Sequence, residues 1–343
     1  MKFSKVFKGG MVAAMAMSLV ACSSNSTTSA KSTSASAEAF KIGGSGPLSG
    51  DAAVYGNAVK NGAELAVKEI NAKGKVQLEF KYEDDQADGE KAATAYNTLA
   101  DWGMQASIGA TTSGAGQAVS PLYQQDDIFA ITPSGSSPAV IYQNADNESD
   151  PYGNVFQMCF TDPNQGKASA DCIADNKVAT KIGVIYDSSD AYSSGIYNAF
   201  KTEAAAKGLE LVSEQSFTKD SKTDFSAQIA DCKNKGAELV FLPIYYQQAS
   251  LILTQSKNAG FSPKFFGCDG LDGLTSIKNF DTSLAEGVML LTPFAADSKD
   301  QATQDFVKAY KAAYNDETPN QFAADAYDGV KILAKLIESQ GIT

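Results

Sequence analysis

The sequence predicts an α/β protein built as two lobes, each around a parallel sheet, and three observations carry that expectation. From Phe40 onward short β-rich runs alternate with amphipathic helical stretches, the pattern of a parallel sheet covered by helices. The alternation is interrupted by one polar stretch, NADNESDPYGN from Asn144 to Asn154, which carries no periodic pattern and marks the approach to a lobe boundary. About 305 residues follow the N-terminal polar tract, more than one core usually organises.

FKIGG (40–44) leads into a helix at 52–72, where Val59, Ala63, Ala66, Val67 and Ile70 form one apolar stripe and Lys60, Glu64, Lys68 and Glu69 lie mostly outside it. VQLEFKY (76–82) is the next strand and 89–102 the next helix, with Asp88 as its cap. ASIGA (106–110), a helix from about 115 and DIFAIT (127–132) complete the first series. VFQMCF (155–160) opens the second: helix 164–176, KIGVIY (181–186), helix 192–207, LELVSEQSF (209–217), helix 224–235, ELVFLP (238–243), helix 247–259 and KFFG (264–267). GVMLLTPF (287–294) carries the chain back toward the first lobe, and helical patterns at 300–315 and 321–340 follow with no strand between them. No period of 20 to 50 residues recurs.

Ahead of this body, Lys2, Lys5 and Lys8 form a basic start, Met11–Ala21 is an apolar run, and Leu19-Val20-Ala21-Cys22 precedes a tract with ten Ser or Thr among the sixteen residues 23–38. Eleven apolar residues suit a signal peptide and fall short of the ~20 a spanning helix needs. The order resembles a bacterial lipoprotein signal. It implies a signal over residues 1–22 ending at a lipidated Cys22, with the protein held on the extracytoplasmic face of the cell membrane; an ordinary secretory signal, allowed by Ala16 and Ser18, is the alternative. Residues 23–38 bury too little apolar area to fold and form a tether, roughly 20 to 24 Å long as a flexible coil.

Composition excludes several functions. The chain has 28 basic and 40 acidic residues, and without Lys2, Lys5 and Lys8 the balance is 25 against 40, a charge of −15, which argues against a nucleic-acid partner. It has no histidine, so Ser-His-Asp and Cys-His catalysis and His-based zinc sites are unavailable. With no positioned base to activate a nucleophile, an amidase or similar enzyme is disfavoured. Cys159, Cys172, Cys232 and Cys268 show no C-x-x-C spacing. Cys232, in helical register with Phe225 and Ile229, and Cys172, beside Ile173, read as core thiols, although disulfides among the four remain an open alternative.

Several loops invite chemistry. Gly43–Gly50 reads as a glycine-rich turn at the cleft; Ser49 stands where a nucleotide fingerprint needs its third glycine, and no phosphate-loop lysine follows, so no cofactor is expected. Glu83-Asp84-Asp85 reads as a solvated turn, not a metal site. Gly109–Ala115 and Thr132–Pro138 each follow a strand at its carboxyl end, where open α/β sheets bind ligands, and their small hydroxyls and free amides suit a carboxylate. Tyr245-Tyr246 and Asp269 follow strands of the second unit, and a carboxylate beside an aromatic suits an ammonium. Together these are the two halves of an α-amino acid site.

Gly46-Pro47-Leu48-Ser49-Gly50 with Tyr55-Gly56, Asn61-Gly62-Ala63-Glu64-Leu65-Ala66 with Glu69-Ile70-Asn71, Tyr82–Gln86, Ile108-Gly109 with Ser113, and Phe241–Tyr246 give the chain a resemblance, from about Phe40 to Ser339, to the type I periplasmic binding proteins of the branched-chain amino acid receptor family. The resemblance implies two Rossmann-like lobes joined by a hinge that close on one small ligand. By this reading 39–157 plus 293–343 form the first lobe and 158–292 the second. Ser113, with Ser134, Gly135 and Ser136 and their backbone groups, would receive the α-carboxylate; Tyr245 and Asp269 would hold the α-ammonium; Tyr55 and Tyr192 would line the cleft. Asp269 stands where the family often has glutamate, and Asp187–Ser194 is looser than the family's turn. Members usually continue past the position of Ser339 with a further helix and two strands, so either the sequence is truncated or the second lobe lacks terminal strands, which puts that sheet's edge in doubt. The implied function is a monomeric receptor, not an enzyme, that hands a branched-chain or similar amino acid to an ABC permease and its ATPase. A ligand-sensing protein for an amide or small carboxylate, coupled to a signalling partner, is the alternative.

Overall fold

Strand β1 (Phe40–Gly46) is the hub of the first sheet, between β2 (Leu78–Asp84) and β3 (Ala106–Ala110), with β4 (Phe129–Thr132) and β5 (Val155–Gln157) beyond β3 and every pairing parallel. The computed structural model describes residues 39–144 and 149–341. The expected signal (1–22), the lipidation site Cys22 and the tether 23–38 lie outside the described residues. The glycine run expected as a turn is strand as far as Gly46. Its glycines serve close packing: a Cβ at Gly44 would meet the Tyr82 ring at 2.9 Å, and one at Gly46 would overlap Tyr82 Oη and Thr111 Oγ1.

Helices α1 (Ala53–Lys73), α2 (Gly89–Trp102) and α3 (Ser113–Gln125) connect these strands. Val59, Ala63 and Ala66 of the α1 stripe are fully buried. Asp88 caps α2 by accepting from the amides of Glu90 and Lys91 at 3.0 and 3.1 Å. The Glu83–Asp85 cluster is not a solvated turn: Asp85 is completely buried, accepting from Ser45 Oγ at 2.9 Å and Ala87 N–H at 2.9 Å. Asp84 accepts from Leu48 N–H and Ser49 Oγ, tying the turn after β1 to the end of β2. No group of residues able to hold a metal ion occurs among the described residues.

The second sheet has the order β10-β9-β8-β6-β7, also parallel throughout. It is built from β6 (Lys181–Asp187), β7 (Glu210–Phe217), β8 (Leu239–Leu242), β9 (Lys264–Gly267) and β10 (Met289–Leu290), with α4 (Asp162–Asp175), α5 (Ala191–Ala206), α6 (Ser226–Asn234) and α7 (Tyr246–Asn258) around it. Two expectations are corrected. Val155–Gln157 pairs with β4 and closes the first sheet instead of opening the second series. Only Met289-Leu290 of the expected crossing strand pairs at all, and it joins β9.

Helices α8 (Gln301–Ala313) and α9 (Gln321–Ser339) return to the first lobe. At Gly62 a Cβ would overlap the carbonyl oxygen of Ala323, so α1 and α9 touch backbone to backbone, and only glycine permits that spacing. Cys159, Cys172, Cys232 and Cys268 are all free; Cys232 is a core thiol as expected, whereas Cys172 is only half-buried. No helix among the described residues is long and apolar enough to cross a membrane.

Candidate ligand-binding site

In each sheet the strand order reverses once. The chain steps from β1 outward to β2 and returns to β3 on the other side; it repeats the move with β6, β7 and β8. Ligands of open α/β sheets bind at the carboxyl ends of the strands flanking such a reversal. Here the two reversals meet: Thr111, Thr112 and Ser113 after β3 and Tyr245 after β8 line one cavity, with Ser134 after β4 and Asp269 and Gly270 after β9. Tyr55, Tyr192 and Phe322 complete it.

The lobes are closed over this cavity. Tyr55 Oη donates to Gly270 O at 2.6 Å and accepts from Tyr246 N–H at 3.3 Å, while Val54 N–H donates to Tyr246 Oη at 3.3 Å. Asp162 N–H donates to Ser136 O at 3.0 Å. At the rim Lys222 pairs with Asp51 at 2.6 Å. The space left inside is about 10 Å³, enough for roughly one water, so an amino acid enters only as the lobes part. A second, outer chamber of about 380 Å³ lies between the lobes, lined by Asp51, Asp187, Asp190, Lys219 and Lys222, and Tyr245 is the wall it shares with the inner cavity.

One end of the inner cavity suits an anion. The first hydrogen bond of α3 runs from Gly116 N–H to Thr112 O at 2.8 Å, leaving the amides of Ser113, Gly114 and Ala115 outside the helix's own ladder. Thr112 is the N-cap, yet its hydroxyl bonds no helix amide and is buried without a partner. Ser113 Oγ accepts from Ser137 N–H at 3.1 Å and keeps its own proton to give. With the helix dipole behind them, these groups favour a carboxylate.

The opposite end suits a cation. Asp269 is 2 % exposed, and its Oδ1 has no partner. Burial pushes its carboxyl up to about 6, against the Tyr192 hydroxyl, the Gly270 amide and the Gln165 side chain, which pull it down. Tyr192 Oη accepts from Gly270 N–H at 2.8 Å. The Tyr192 and Tyr245 rings stack with centroids 5.2 Å apart, and Tyr55 meets the Tyr245 ring edge-on at 5.3 Å. Burial raises all three phenols well above their usual range, so they stay neutral and serve as walls and hydrogen-bond donors.

Of the residues named from sequence, Tyr55, Ser113, Ser134, Tyr192, Tyr245 and Asp269 all line the cavity. Gly135 and Ser136 stand behind it: Gly135 N–H is bound to Thr132 Oγ1 at 2.9 Å, and Ser136 meets Asp162 through its carbonyl. Thr111 and Thr112 belong to the hydroxyl loop singled out from sequence without being named individually; sequence reasoning missed Gly270 and Phe322 in the lining and, behind it, the buried pair Asp162 and Gln165 on α4. Asp162 and Gln165 carried a signal, two polar side chains three residues apart on the helix's buried side. Phe322 carried none, because nothing local shows that α9 reaches the cleft.

The periplasmic binding protein family profile matches residues 39–343. The Leu/Ile/Val-binding protein homolog 3 of Brucella melitensis is 30% identical over 305 residues, covering 88% of this chain and 79% of that protein. The leucine-, isoleucine-, valine-, threonine- and alanine-binding protein of Pseudomonas aeruginosa is 30% identical over 313 residues, covering 90% and 80%. Among solved structures, the branched-chain amino acid transporter substrate-binding protein LivJ of Streptococcus pneumoniae, determined with isoleucine, superposes with a TM-score of 0.77 at 27% identity, covering 88% of this chain and 84% of that one.

Proposed function

Because the chain belongs to the periplasmic binding protein family, we propose that it is an extracytoplasmic receptor that captures an amino acid, branched-chain or similar, between its lobes and passes it unchanged to an ABC importer. The observation that carries this reading is the pairing of opposite ends in one buried cavity: amides outside the helix ladder and the unpartnered Thr112 hydroxyl at the start of α3 on one lobe, and the Asp269 carboxylate, with its Oδ1 unpartnered, on the other. Buried polar atoms normally have partners, and an α-amino acid supplies both kinds at once. Its carboxylate takes the α3 amides with Ser113 and Thr112. Its ammonium takes Asp269 and the face of Tyr245. We assign the anchoring to a lipidated Cys22, the lobes to 39–157 plus 293–343 and to 158–292, and the working state to a monomer.

The test is a thermal-shift screen of the purified chain against the twenty amino acids, with Asp269→Ala alongside. A ligand at one hundred times its Kd stabilises the fold by about 2.7 kcal/mol, a shift of several degrees. The reading expects at least one amino acid to give that shift and Asp269→Ala to remove it. If no amino acid shifts the wild-type protein, the reading fails.

A further inference from the structure

The outer chamber carries polar groups that the α-amino acid site leaves unused. Its volume of about 380 Å³ falls in the range of small-molecule sites, and like the inner cavity it lies at the carboxyl ends of strands from both sheets: Asp51 and Gln86 follow β1 and β2, and Asp190, Lys219 and Gln248 follow β6, β7 and β8. Gln248 is 7 % exposed, it lines the chamber, and its side chain makes no hydrogen bond among the described residues. A buried carboxamide without partners is uncommon, and this one offers two N–H donors and a carbonyl acceptor. It stands in the first turn of α7, where the first ladder bond runs from Ala249 N–H to Tyr245 O at 3.1 Å, so the backbone amides of Gln247 and Gln248 also lie outside the ladder. No hydrogen bond fixes Tyr245 as the wall between the two spaces: its Oη bonds no described residue, and its ring rests on Tyr192 and Tyr55 at 5.2 and 5.3 Å. A side chain leaving the inner cavity past this ring breaks no hydrogen bond of Tyr245 on its way to Gln248.

The charges of the chamber narrow what that side chain can end in. Three carboxylates, Asp51, Asp187 and Asp190, face two ammoniums, Lys219 and Lys222. Lys222 is paired with Asp51 at 2.6 Å, and Lys219 enters no ion pair among the described residues. Asp187 Oδ1 accepts from Ser189 N–H and Oγ at 2.8 and 2.6 Å, and Asp190 Oδ2 accepts from Ser193 N–H at 3.0 Å, which leaves the other oxygen of each without a bond. A ligand carboxylate would add to the excess of negative charge, and a ligand ammonium would meet the unpaired Lys219. An aliphatic end would leave the Gln248 amide unsatisfied. A carboxamide is neutral and brings both complements: a carbonyl for Gln248 Nε2 and the α7 amides, and an NH2 for the open oxygens of Asp187 and Asp190.

We propose that the outer chamber is the side-chain compartment of the site and takes the carboxamide of an amino acid of the glutamine or asparagine kind, with Gln248 as the residue that selects it. The proposal rests on the amino-acid reading above and narrows it to a class of side chain.

The experiment is calorimetry at pH 7.5, titrating glutamine, asparagine, glutamate, lysine, leucine and homoleucine into the wild-type chain and into Gln248→Leu and Gln248→Glu, with the melting temperature of each unliganded protein as the control for folding. Homoleucine keeps the branched outline of glutamine and lacks its polar side-chain atoms. The expected result is that glutamine or asparagine binds wild type at least about tenfold tighter than each of the other four, the discrimination that one unsatisfied buried amide supplies. Gln248→Leu should lose about tenfold for the amide ligand while gaining for homoleucine, and the near-isosteric Gln248→Glu, which keeps an acceptor and has no donor, should lose the amide ligand without that gain. Leucine, homoleucine, glutamate or lysine binding wild type within tenfold of the better amide overturns the proposal and leaves the amino-acid receptor standing, and this ranking decides even where a variant fails to fold. So does a folded Gln248 variant that weakens every ligand alike, or none. No binding by any amino acid overturns both.

Discussion

Removing one oxygen tests whether closure is held by the contacts described between the lobes. Tyr55→Phe deletes the Oη that donates to Gly270 O at 2.6 Å and accepts from Tyr246 N–H at 3.3 Å, while the ring keeps its neighbours Tyr245, Tyr246 and Phe322 at centroid distances of 5.3, 5.1 and 4.7 Å. Packing is therefore conserved, and two buried backbone groups lose a partner. Each costs about 1 to 3 kcal/mol, and the longer bond belongs at the low end, so the closed form should lose about 2 to 4 kcal/mol relative to the open one. Both groups regain water when the lobes part, so the loss falls on closure and not on folding. A shift of that size lowers the closing equilibrium by roughly 30- to 700-fold, and apparent affinity falls with the competent fraction. The assay is calorimetric affinity for whichever amino acid stabilises wild type, with the radius of gyration from solution scattering at saturating ligand. Affinity within threefold of wild type, with an unchanged melting temperature, would refute the reasoning.

Two further outcomes follow from the same geometry. Asp269 holds its proton up to about pH 6 in the fold against about 3.9 in the unfolded chain, so its contribution to unliganded stability is present at about pH 4 and is lost as pH rises to 6. A bound ammonium needs the ionised form, so affinity should fall about tenfold for each pH unit below about 6, and Asp269→Asn should abolish that slope in calorimetric titrations; a slope that survives the substitution assigns it to another group. Gly62→Ala drives a methyl into the Ala323 carbonyl and should cost about 1 to 3 kcal/mol of stability by denaturant titration, whereas Gly74→Ala, at a position open to solvent with φ 73°, should cost only the backbone strain, about 1 kcal/mol.

The alternating architecture was legible because each amphipathic helix and each β-rich run states its own period, and the helices fall within two residues of where those periods put them. Strand ends were harder. DIFAIT starts two residues late because Asp127 adopts a left-handed φ of 54°, and GVMLLTPF yields two paired residues because pairing depends on a neighbouring strand that no local pattern reveals. The hydroxyl loops and Tyr245 could be located since they follow strand ends. Asp85 was misread for the opposite reason: an acidic run looks solvated until Ser45 and the Ala87 amide are folded over it. Phe322 reaches the cleft only through the packing of α9 on α1, and that tertiary information is spread along the whole chain.

The contact between α1 and α9 also sets an order of events in folding. Tyr327 Oη of α9 donates to Glu69 at 2.7 Å across 258 residues of chain, and Tyr314 Oη, at the end of α8, donates to Asn61 O across 253. Contacts so far apart in sequence form slowly, since a long loop must close before they stabilise anything. A chain presented from its N-terminus must therefore carry the apolar flank of α1 uncovered until α9 has emerged. That interval is when the protein is most exposed to aggregation and proteolysis, and substitutions at Gly62 should lengthen it before they alter any property of the finished fold.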